Sequence, residues 1–581
     1  MQHRHTVADV ASREKGVVRK RWKGRMRIAL VYPNSYDVGM SNLGFQAVYR
    51  MLNQRDDVVC ERAFAPDRAK PNDGIPRTIE SGRAVAEFDI IAFSISFEAD
   101  YLKLLAIVHQ AGLPLRSAAR GDPHPLVIAG GVACFLNPEP VAPFIDCFFI
   151  GEAESLLPRF FQFHDPGLER RQLLKRLAQN VPGLYVPAFY TPRYHENGLL
   201  QAFDPDPGVP PTIQRGFQAD LDRCPVCSAI LTPHTSFGDT YLIEVSRGCT
   251  HGCRFCSAGF LYRPPRFRSV EQLENNIAAG SGLAGKIGLV GAAVSDHPGL
   301  ERLCRFALER DLSISFSSLR ADALTPSLAE VLRRSHVKTA TIAPDAGSER
   351  MRRVINKGIS EKQILEAVRL LVSGGIPNVK LYFMIGLPFE TEADIEAIVA
   401  LCRNVKDRFL EASRRMGRIG GITVAINPFV PKPFTPFQWA AMDDPKSLRM
   451  KSEAIRKGLA KIDNLTVQLE SVRQAYTQAL FARGDRRLAD LLERAVTTGG
   501  NWTSILKSWT MEPDFYVLRE RALDELLPWD FIDHGIRKSF LWKEFRWAAD
   551  GKTSAPCPVS NCTRCGVCGQ AACPDRSGEK P

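Results

Sequence analysis

The stretch YLIEVSRGCTHGCRFC, at residues 241–256, carries an apolar strand directly into three closely spaced cysteines. Cys249, Cys253 and Cys256 follow the spacing C-x3-C-x2-C. Three thiolates on one short loop can hold three irons of a cubane cluster and leave the fourth iron open to another ligand. Zinc is the alternative, although zinc motifs usually pair C-x2-C with a second, distant pair. The loop therefore predicts a [4Fe-4S] cluster with one open iron, and His251 is predicted to be solvated rather than a ligand.

Apolar strands and helical patterns alternate after this loop. Five more strands follow the opening one, and they read KIGLVGA, SISFSSL, TATIAP, VKLYFMIG and GITVAINPF. Six such units in series predict a parallel βα barrel, partial or complete, over residues 240–435, with its site at the carboxyl ends of the strands. One helix has clear end signals, since Ser360 and Gln363 can form a capping box and Gly374 is predicted to end it in a left-handed conformation.

A second α/β pattern precedes the barrel. The apolar segments RIALVYP, DIIAFSIS, PLVIAGG and FIDCFFIGEAE are separated by helical sequence. They predict a buried parallel sheet with helices on both faces, a doubly wound Rossmann-like domain over residues 26–185. Ligands of such sheets bind beyond the carboxyl ends of the strands, where Gly130, Gly131, Gly151 and Glu152 fall. The predicted fold class is therefore α/β, with this domain followed by the barrel.

The remaining segments complete the predicted domain organisation. They are a basic amino-terminal arm at 1–25, a linker at 186–239, a largely helical region at 436–555 and a cysteine-rich, metal-binding tail at 556–581. Within the helical region, the run RGDRR at 483–487 is predicted to be a solvated turn.

The chain is basic, with 76 Lys and Arg against 64 Asp and Glu and a formal net charge of +12. Six basic side chains precede the first strand: Arg19, Lys20, Arg21, Lys23, Arg25 and Arg27. This charge favours an anionic partner such as RNA, and a solvated arm is the alternative. The sequence shows neither an apolar run long enough to span a membrane nor a secretory signal, so a cytoplasmic protein is expected.

The other cysteines fall into separate groups. Five stand singly in apolar segments and are predicted to be inert buried thiols: Cys60, Cys134, Cys147, Cys304 and Cys402. The tail holds Cys557, Cys562, Cys565, Cys568 and Cys573. Their spacing resembles the cysteine run of ferredoxins, so a second iron-sulfur cluster is predicted, with a tetrahedral zinc site as the alternative. Cys224 and Cys227 in the linker are predicted to be structural or incidental thiols.

The pattern C-x3-C-x-aromatic-C after a first barrel strand resembles the radical S-adenosylmethionine (SAM) superfamily. The segments IAPDAGSERMRRVINKG, VKLYFMIGLPFET and FVPKPFTPFQW are similar to a group of that superfamily whose members also carry a cobalamin-binding domain. The resemblance implies an enzyme that cleaves SAM reductively at the cluster and releases a 5′-deoxyadenosyl radical. It also implies a reductant such as ferredoxin or flavodoxin as partner.

The resemblance further implies cofactor-binding residues in the barrel. Phe255 would lie beside the adenine, and Gly386, Pro388 and Glu390 would form an adenine-contacting turn. Ser318, Arg320 and Asp345 would lie near the ribose and methionine, with a barrel-rim salt bridge as the alternative for Arg320 and Asp345. Gly291 begins the sequence GAA, which replaces the usual G-G-E of the second strand.

The doubly wound domain resembles the cobalamin-binding domains that are fused to such barrels, and its glycines would let the backbone approach a corrin edge or nucleotide tail. The D-x-H-x-x-G signature is missing, however, and DVGMSNLG has Asn42 before Gly44. Cobalamin would therefore bind without an axial histidine, or the domain is a scaffold that has lost it. Three functions stay open: methyl, sulfur or carbon transfer to an unknown substrate such as RNA; cobalamin-dependent methylation of a small molecule; and a non-catalytic, redox-sensing RNA-binding protein.

Overall fold

The computed structural model describes residues 10–569 except 11, 66–73, 318, 418 and 560–561. The elements of the amino-terminal domain are β1 (Met26–Tyr32), α1 (Tyr36–Met40), α2 (Leu43–Asn53), β2 (Val58–Phe64), β3 (Ile90–Ser94), α3 (Tyr101–Gln110), β4 (Leu126–Gly130), α4 (Val132–Leu136), β5 (Cys147–Phe149), α5 (Ala153–Phe163), α6 (Arg170–Asn180) and β6 (Leu184–Tyr185). The strands form one sheet in the order β2-β1-β3-β4-β5-β6. The first five are parallel, and β6 runs antiparallel to β5. This is the predicted doubly wound sheet.

Strand β2 was not predicted from the sequence, because Glu61 and Arg62 interrupt its apolar run. Both side chains are buried through specific partners. Arg62 forms ion pairs with Glu14 at 2.6 Å and Glu80 at 2.7 Å. Buried charges are tolerated when they are paired, so the strand stays inside the domain.

The region after the sheet is folded onto the rest of the protein, so the prediction of a linker at 186–239 is wrong in part. It contains β7 (Tyr190–Tyr194), β8 (Leu200–Pro205) and β9 (Ile213–Gln214). Strands β7 and β8 form an antiparallel hairpin. The hairpin was missed because its strands are only half buried and carry little apolar periodicity.

The barrel follows the prediction. Its elements are β10 (Thr240–Glu244), β11 (Ser246–Arg247), α7 (Ala258–Leu261), β12 (Arg266–Phe267), α8 (Val270–Ser281), β13 (Lys286–Val290), α9 (Leu300–Leu308), β14 (Ser313–Phe316), α10 (Pro326–Arg334), β15 (Thr339–Asp345), α11 (Glu349–Val354), α12 (Glu361–Ser373), β16 (Asn378–Ile385), α13 (Glu392–Arg415) and β17 (Ile422–Pro428). Parallel ladders join β10-β13-β14 and β15-β16-β17. The two ladders form separate sheets, as expected for a partial barrel.

The carboxy-terminal elements are α14 (Pro445–Leu459), β18 (Leu465–Leu469), α15 (Val472–Arg483), α16 (Leu488–Thr498), α17 (Trp502–Lys507), α18 (Asp514–Val517), β19 (Ile532–Asp533) and α19 (Lys538–Ala549). The region is largely helical as predicted, but β18 extends the second barrel ladder in parallel with β17. The five-residue strand is half exposed, and its pairing with β17 rather than its own pattern makes it a strand. Strand β19 pairs with β9.

The run RGDRR is a buried junction, so the prediction of a solvated turn is wrong. The Arg483 guanidinium is buried and donates to the carbonyl of Tyr516 at 2.6 Å. Arg486 forms an ion pair with Glu139 of the amino-terminal domain at 3.1 Å and donates to the Tyr185 hydroxyl at 2.6 Å. Arginine at such positions satisfies several carbonyl and carboxylate acceptors at once.

The basic segment before β1 packs against the amino-terminal sheet rather than extending as an arm. The Lys20 ammonium donates to the carbonyls of Asn53 and Arg55, each at 2.6 Å. Arg25 donates to the Asp56 carbonyl at 2.7 Å, and Arg27 is paired with Asp89. Of these three side chains, Arg27 is neutralised by a carboxylate, whereas Lys20 and Arg25 donate to uncharged carbonyl groups and keep their positive charge.

The ends of helix α12 and the single cysteines follow the sequence predictions with one difference. Ser360 and Gln363 form the predicted capping box. Gly374 has φ −75°, and the left-handed residue is Gly375 at φ +92°, so that prediction is wrong by one position. The five single cysteines are all buried and free, as predicted. No helix in the described part of the chain is both long and apolar enough to cross a membrane.

Candidate active site

The cysteine loop begins where β10 and β11 end at the carboxyl side of the barrel. Gly248 opens it at φ +86°, and a Cβ there would lie 3.0 Å from the Tyr262 carbonyl oxygen, so the turn requires glycine. Cys253 is buried, while Cys249 and Cys256 are partly buried. All three thiols are free. The predicted cluster ligands thus share one loop at the end of the barrel where sites of this fold lie.

Burial controls the protonation of these thiols. It raises the pKa of Cys249 to about 12 and that of Cys253 to about 11, and in each case at least one neighbouring loop thiol adds to the effect. The pKa of Cys256 is raised for the same reason. A bound metal reverses this preference, because its positive charge removes the proton from a coordinating thiol.

The donor set of the loop fits an iron-sulfur cluster. Across residues 10–569, with the gaps given above, no three His, Cys, Asp or Glu side chains are already placed to hold one metal ion. The loop offers three soft sulfur donors, which are the ligands that iron-sulfur clusters use. His251 is not solvated as predicted, since only 20% of its side chain is exposed and its Nε2 lies 2.9 Å from Asp296 Oδ2.

Asp296 ties the loop to the barrel. Its Oδ2 accepts hydrogen bonds from His251 and from the Thr250 hydroxyl, the latter at 2.7 Å. Burial alone would raise the pKa of Asp296, but these two hydrogen bonds hold it below its ordinary value. The loop residues next to Cys249 are therefore fixed by an ionised carboxylate.

Arg254 fixes the other half of the loop. Its guanidinium is fully buried and donates to the Val354 carbonyl at 2.7 Å and the Lys552 carbonyl at 2.8 Å. It also forms an ion pair with Glu544 of α19 at 3.1 Å. Since Arg254 lies between Cys253 and Phe255, this network holds the loop in place next to Cys253.

The residues expected near the ribose and methionine surround the loop. Lys357 Nζ lies 2.6 Å from Asp345 Oδ2, and Arg320 is paired with Asp322 at 2.9 Å. Asp345 and Arg320 are therefore in rim ion pairs, though not with each other. Lys357 was missed by sequence reasoning. Although burial lowers its pKa, Asp345 and the neighbouring Cys253 thiol hold that pKa above its ordinary value. Ser318 lies outside the described residues.

The turn that is expected to contact the adenine is held together by the side chain of Glu390. Glu390 accepts the backbone N–H of Gly386 at 2.8 Å and the Lys451 ammonium at 2.7 Å. Burial raises the pKa of Glu390, against the effect of Lys451. Gly386 has φ +74°, and Pro388 is part of the same turn. Phe255 packs against an apolar cluster that includes Leu387, which follows Gly386.

A cavity of about 720 Å³ lies between the doubly wound domain and the barrel, and we call it the interdomain cavity. On one side its lining includes the carboxyl ends of β3 and β4, the turn after β5 and helix α2. On the other it includes residues along β10, β13 and β14. Among its lining residues are Val48, Ser94, Gly130, Gly131, Phe149, Gly151, Glu152, Gly248, Ala258, Gly291 and Ser317. The cavity reaches Gly248, directly before Cys249, and Ala258, two residues after Cys256.

The glycines predicted to approach a ligand mostly approach protein instead. A Cβ on Gly131 would lie 2.4 Å from the Ile95 carbonyl oxygen, and one on Gly151 would lie 2.2 Å from the Gly216 nitrogen. Gly130 has only ordinary contacts with Phe149. Chain packing therefore accounts for two of these glycines, and all three still line the cavity.

Glu152 joins the two domains. It pairs with Arg266 at 2.7 Å and Arg247 at 3.0 Å, and it accepts the Gln218 backbone N–H at 2.8 Å. Burial alone would raise the pKa of Glu152, but the two arginines hold it below its ordinary value. Asn42 also has a structural task, since its side chain accepts the Phe45 N–H as the N-cap of α2.

The described tail cysteines meet at a second cavity. Cys557, Cys562, Cys565 and Cys568 line a space of about 540 Å³. Cys565 is buried and the other three are partly buried. Cys573 lies outside the described residues. The linker cysteines, Cys224 and Cys227, are free thiols rather than a disulfide.

Comparison with known proteins agrees with this geometry. The sequence pattern described as "Radical SAM proteins, N-terminal" matches residues 44–187, and that of the radical SAM superfamily matches residues 243–402. Together the two matches cover just over half of the chain. An uncharacterized protein of Methanocaldococcus jannaschii, MJ0966, is 29% identical over 88% of this chain and 98% of its own length.

Other relatives share a smaller part. An uncharacterized methyltransferase of Pyrococcus horikoshii, PH0819, is 24% identical over 48% of this chain and 58% of its own length. The cobalamin-dependent SAM radical enzyme OxsB, solved with aqua-cobalamin and SAM bound, aligns over 65% of this chain and 52% of its own, with 17% identity and a TM-score of 0.41. The chain thus spans little more than half the length of these two proteins. On the family matches and the cysteine loop, the chain belongs to the radical SAM superfamily and is a radical SAM enzyme.

Proposed function

We propose that this enzyme produces a 5′-deoxyadenosyl radical at the cysteine loop and uses it on a group held in the interdomain cavity. The observation that carries the proposal is that one cavity extends from the carboxyl ends of the doubly wound sheet to Gly248 and Ala258, on both sides of the three cysteines. Ligands of both fold types bind at these strand ends.

Cys249, Cys253 and Cys256 would hold the [4Fe-4S] cluster. When bound, the cluster supplies an open iron for SAM and one electron, from an external reductant such as ferredoxin or flavodoxin, for breaking the sulfonium bond. The protein contributes position and exclusion of water. Arg254 and Asp296 keep the loop rigid, and the buried thiols lie in a site that solvent reaches poorly.

Cofactor-binding residues are proposed around the loop. The Lys357 ammonium and Arg320 guanidinium provide positive charge for the SAM carboxylate, with Asp345 orienting Lys357. Phe255 and the turn of Gly386, Pro388 and Glu390 would enclose the adenine. Backbone groups at Gly291 would orient the amine, since that residue directly follows β13 at the cavity.

Cobalamin is the ligand that we favour for the interdomain cavity. The cavity lies at the carboxyl edge of a 2-1-3-4-5 sheet, and its lining in the doubly wound domain is largely apolar, as in Val48 and Phe149. No histidine from the DVGMSNLG segment is available, so cobalt would lack that axial ligand. With cobalamin in this cavity, the reaction that we favour is methylation of a small molecule. The Pyrococcus relative is named an uncharacterized methyltransferase, which is consistent with this choice.

RNA is less well supported as substrate. Binding a phosphate backbone requires cationic groups that are free to neutralise it. The cations lining the interdomain cavity are Arg247 and Lys286. Arg247 is already paired with Glu152, Glu154 and Glu244, at 3.0, 2.9 and 2.9 Å.

The alternative within the same proposal is that the amino-terminal domain has lost the ability to bind cobalamin. The interdomain cavity would then bind the substrate directly.

The test uses the full chain, reconstituted anaerobically with iron and sulfide, reduced and mixed with SAM. Release of 5′-deoxyadenosine is expected from the wild type and from Cys224→Ala, and none from the combined Cys249→Ala, Cys253→Ala and Cys256→Ala variant. Absence of release from wild type with an intact cluster would favour the non-catalytic, redox-sensing alternative and overturn the proposal.

Cobalamin binding is tested separately. Protein incubated with hydroxocobalamin and desalted should retain its visible absorbance at about one equivalent per chain. If the absorbance is lost on desalting while 5′-deoxyadenosine release persists, the domain is a scaffold and the cavity is a substrate site.

A further inference from the structure

The tail returns across the protein to the cysteine loop. Cys557 donates its backbone N–H to the Thr250 carbonyl at 2.7 Å. Ser554 donates its N–H to Asn356 Oδ1 at 2.9 Å, and Asn356 Nδ2 donates to the Gly252 carbonyl at 3.1 Å. Two separate hydrogen-bonded connections therefore hold the tail against the loop that carries the first set of cysteines.

The space at this junction suits more than one metal atom. The four tail cysteines line a cavity of about 540 Å³ together with Gly252 of the loop. A single zinc ion sits about 2.3 Å from each sulfur, so all four sulfurs must converge on one point. A polynuclear cluster instead occupies a volume between its cysteines, and the four tail cysteines line this one cavity. Among the described residues, no three such side chains converge on a single metal position.

The surroundings of the cavity are cationic. Four basic side chains, Arg263, Arg537, Lys543 and Arg564, line it together with one acidic side chain among its described lining residues, Glu544. The Arg564 Nε lies 3.5 Å from the Cys562 sulfur. Because the inorganic sulfides cancel most of the charge of the irons, four thiolates bring more negative charge than the iron-sulfide core neutralises, and positive side chains around the site stabilise that excess.

We propose that Cys557, Cys562, Cys565 and Cys568 hold a second iron-sulfur cluster, which fastens the tail against the loop of the first. Four cysteines provide one ligand for each of the four irons of a cubane, so this cluster has no open iron for SAM. The two clusters therefore differ in chemistry: one binds the cofactor, and the other is saturated by the chain.

The experiment counts iron at each site in the full chain. Wild type, a loop variant (Cys249→Ala, Cys253→Ala, Cys256→Ala) and a tail variant (Cys562→Ala, Cys565→Ala) are reconstituted anaerobically with equal iron and zinc plus sulfide. Iron, zinc and acid-labile sulfide are measured per chain, with Mössbauer spectra in the presence and absence of SAM. Wild type should hold about eight irons, and each variant about four, because each cubane contains four. Cys224→Ala is the control that should keep the wild-type content.

The loop variant decides the proposal even if the tail variant folds poorly. Its remaining iron should give a cluster spectrum that SAM does not change. A loop variant that holds no iron, or holds zinc, would overturn the proposal, as would a well-folded tail variant with the full wild-type iron content. If wild type and the loop variant hold equal cluster iron, the first cluster is absent, and the proposed function fails while the tail site stands.

Discussion

The two sides of the interdomain cavity differ in chemistry. The barrel side reaches Gly248 and Ala258, next to the loop that carries the three thiols, and the ion pair of Asp345 with Lys357 lies near Cys253 of that loop. The side formed by the doubly wound domain is largely apolar and contains no such group of reactive side chains among its described lining residues. Under the proposed function, the barrel performs the chemistry and the other domain selects what is held next to it. The two tasks should therefore be separable by mutation.

Cys253→Ala should have the largest effect and should act on the barrel side only. It removes the buried central thiol of the loop, so 5′-deoxyadenosine release should fall by more than ~100-fold, beyond the ~10–100-fold typical of losing an outer-shell partner. Retention of hydroxocobalamin should be unchanged. Loss of both properties together would show that the two sides are not separable.

Arg254→Ala should destabilise the loop itself. The change leaves Glu544 buried without its cationic partner, which costs about 3–5 kcal/mol in comparable sites. The measurements are the melting temperature and the iron content after reconstitution, and both should fall. The double variant Arg254→Met with Glu544→Leu should recover most of the melting temperature but not the iron content, because the loop loses its hydrogen bonds to Val354 and Lys552. Equal melting temperatures for Arg254→Ala and the double variant would contradict the role assigned to the Arg254–Glu544 pair.

Glu152→Gln should weaken the junction of the two sides, by about 1–3 kcal/mol for a lost charged hydrogen-bond partner. The pKa of Glu152 is lower in the folded protein than its ordinary value, so its stabilisation is present above the unfolded-state pKa. That stabilisation is lost as the pH falls through the folded-state pKa. Acid unfolding of wild type should include this loss, and the variant should lack it. If the stability of wild type and of Glu152→Gln fell by the same amount at acid pH, that result would be inconsistent with the role of Glu152.

Val48→Trp should have the smallest effect and should act on the apolar side only. The larger side chain enters the cavity from α2, and overpacking costs about 1–3 kcal/mol. Hydroxocobalamin affinity should fall about tenfold, while 5′-deoxyadenosine release stays within about twofold. Leu523→Trp, at a partly exposed position away from the cavity, is the matched control. A large loss of 5′-deoxyadenosine release in Val48→Trp would show that this side of the cavity takes part in SAM cleavage, and would contradict the separation of the two sides.

Some features were predictable because they depend on neighbours in sequence. The alternation of apolar strands and helices identified both the doubly wound domain and the barrel. The capping box of Ser360 and Gln363 involves residues one turn apart. Strand β2 and strand β18 were missed because each depends on distant partners. Glu14 and Glu80 make it possible to bury Arg62 in β2, and β17 provides the pairing for β18.

The site shows the same division. The three cysteines could be identified from their spacing, and the rim residues Arg320 and Asp345 from resemblance. Their partners could not, because Lys357 reaches Asp345 only after the chain turns beyond α11. Likewise, RGDRR has the composition of an exposed turn, and only contact with Glu139 and Tyr516 shows that it is buried.

The amino-acid sequence alone determined the fold class, the cysteine loop and membership of the superfamily, because these depend on local periodicity and on the spacing of a few residues. Tertiary structure alone decided that both domains share one cavity, that Glu152 and Arg254 are buried connections, and that the tail lies against the loop. Those features arise when groups far apart in the chain are brought together, and the energy of a buried charge depends on which partner it meets.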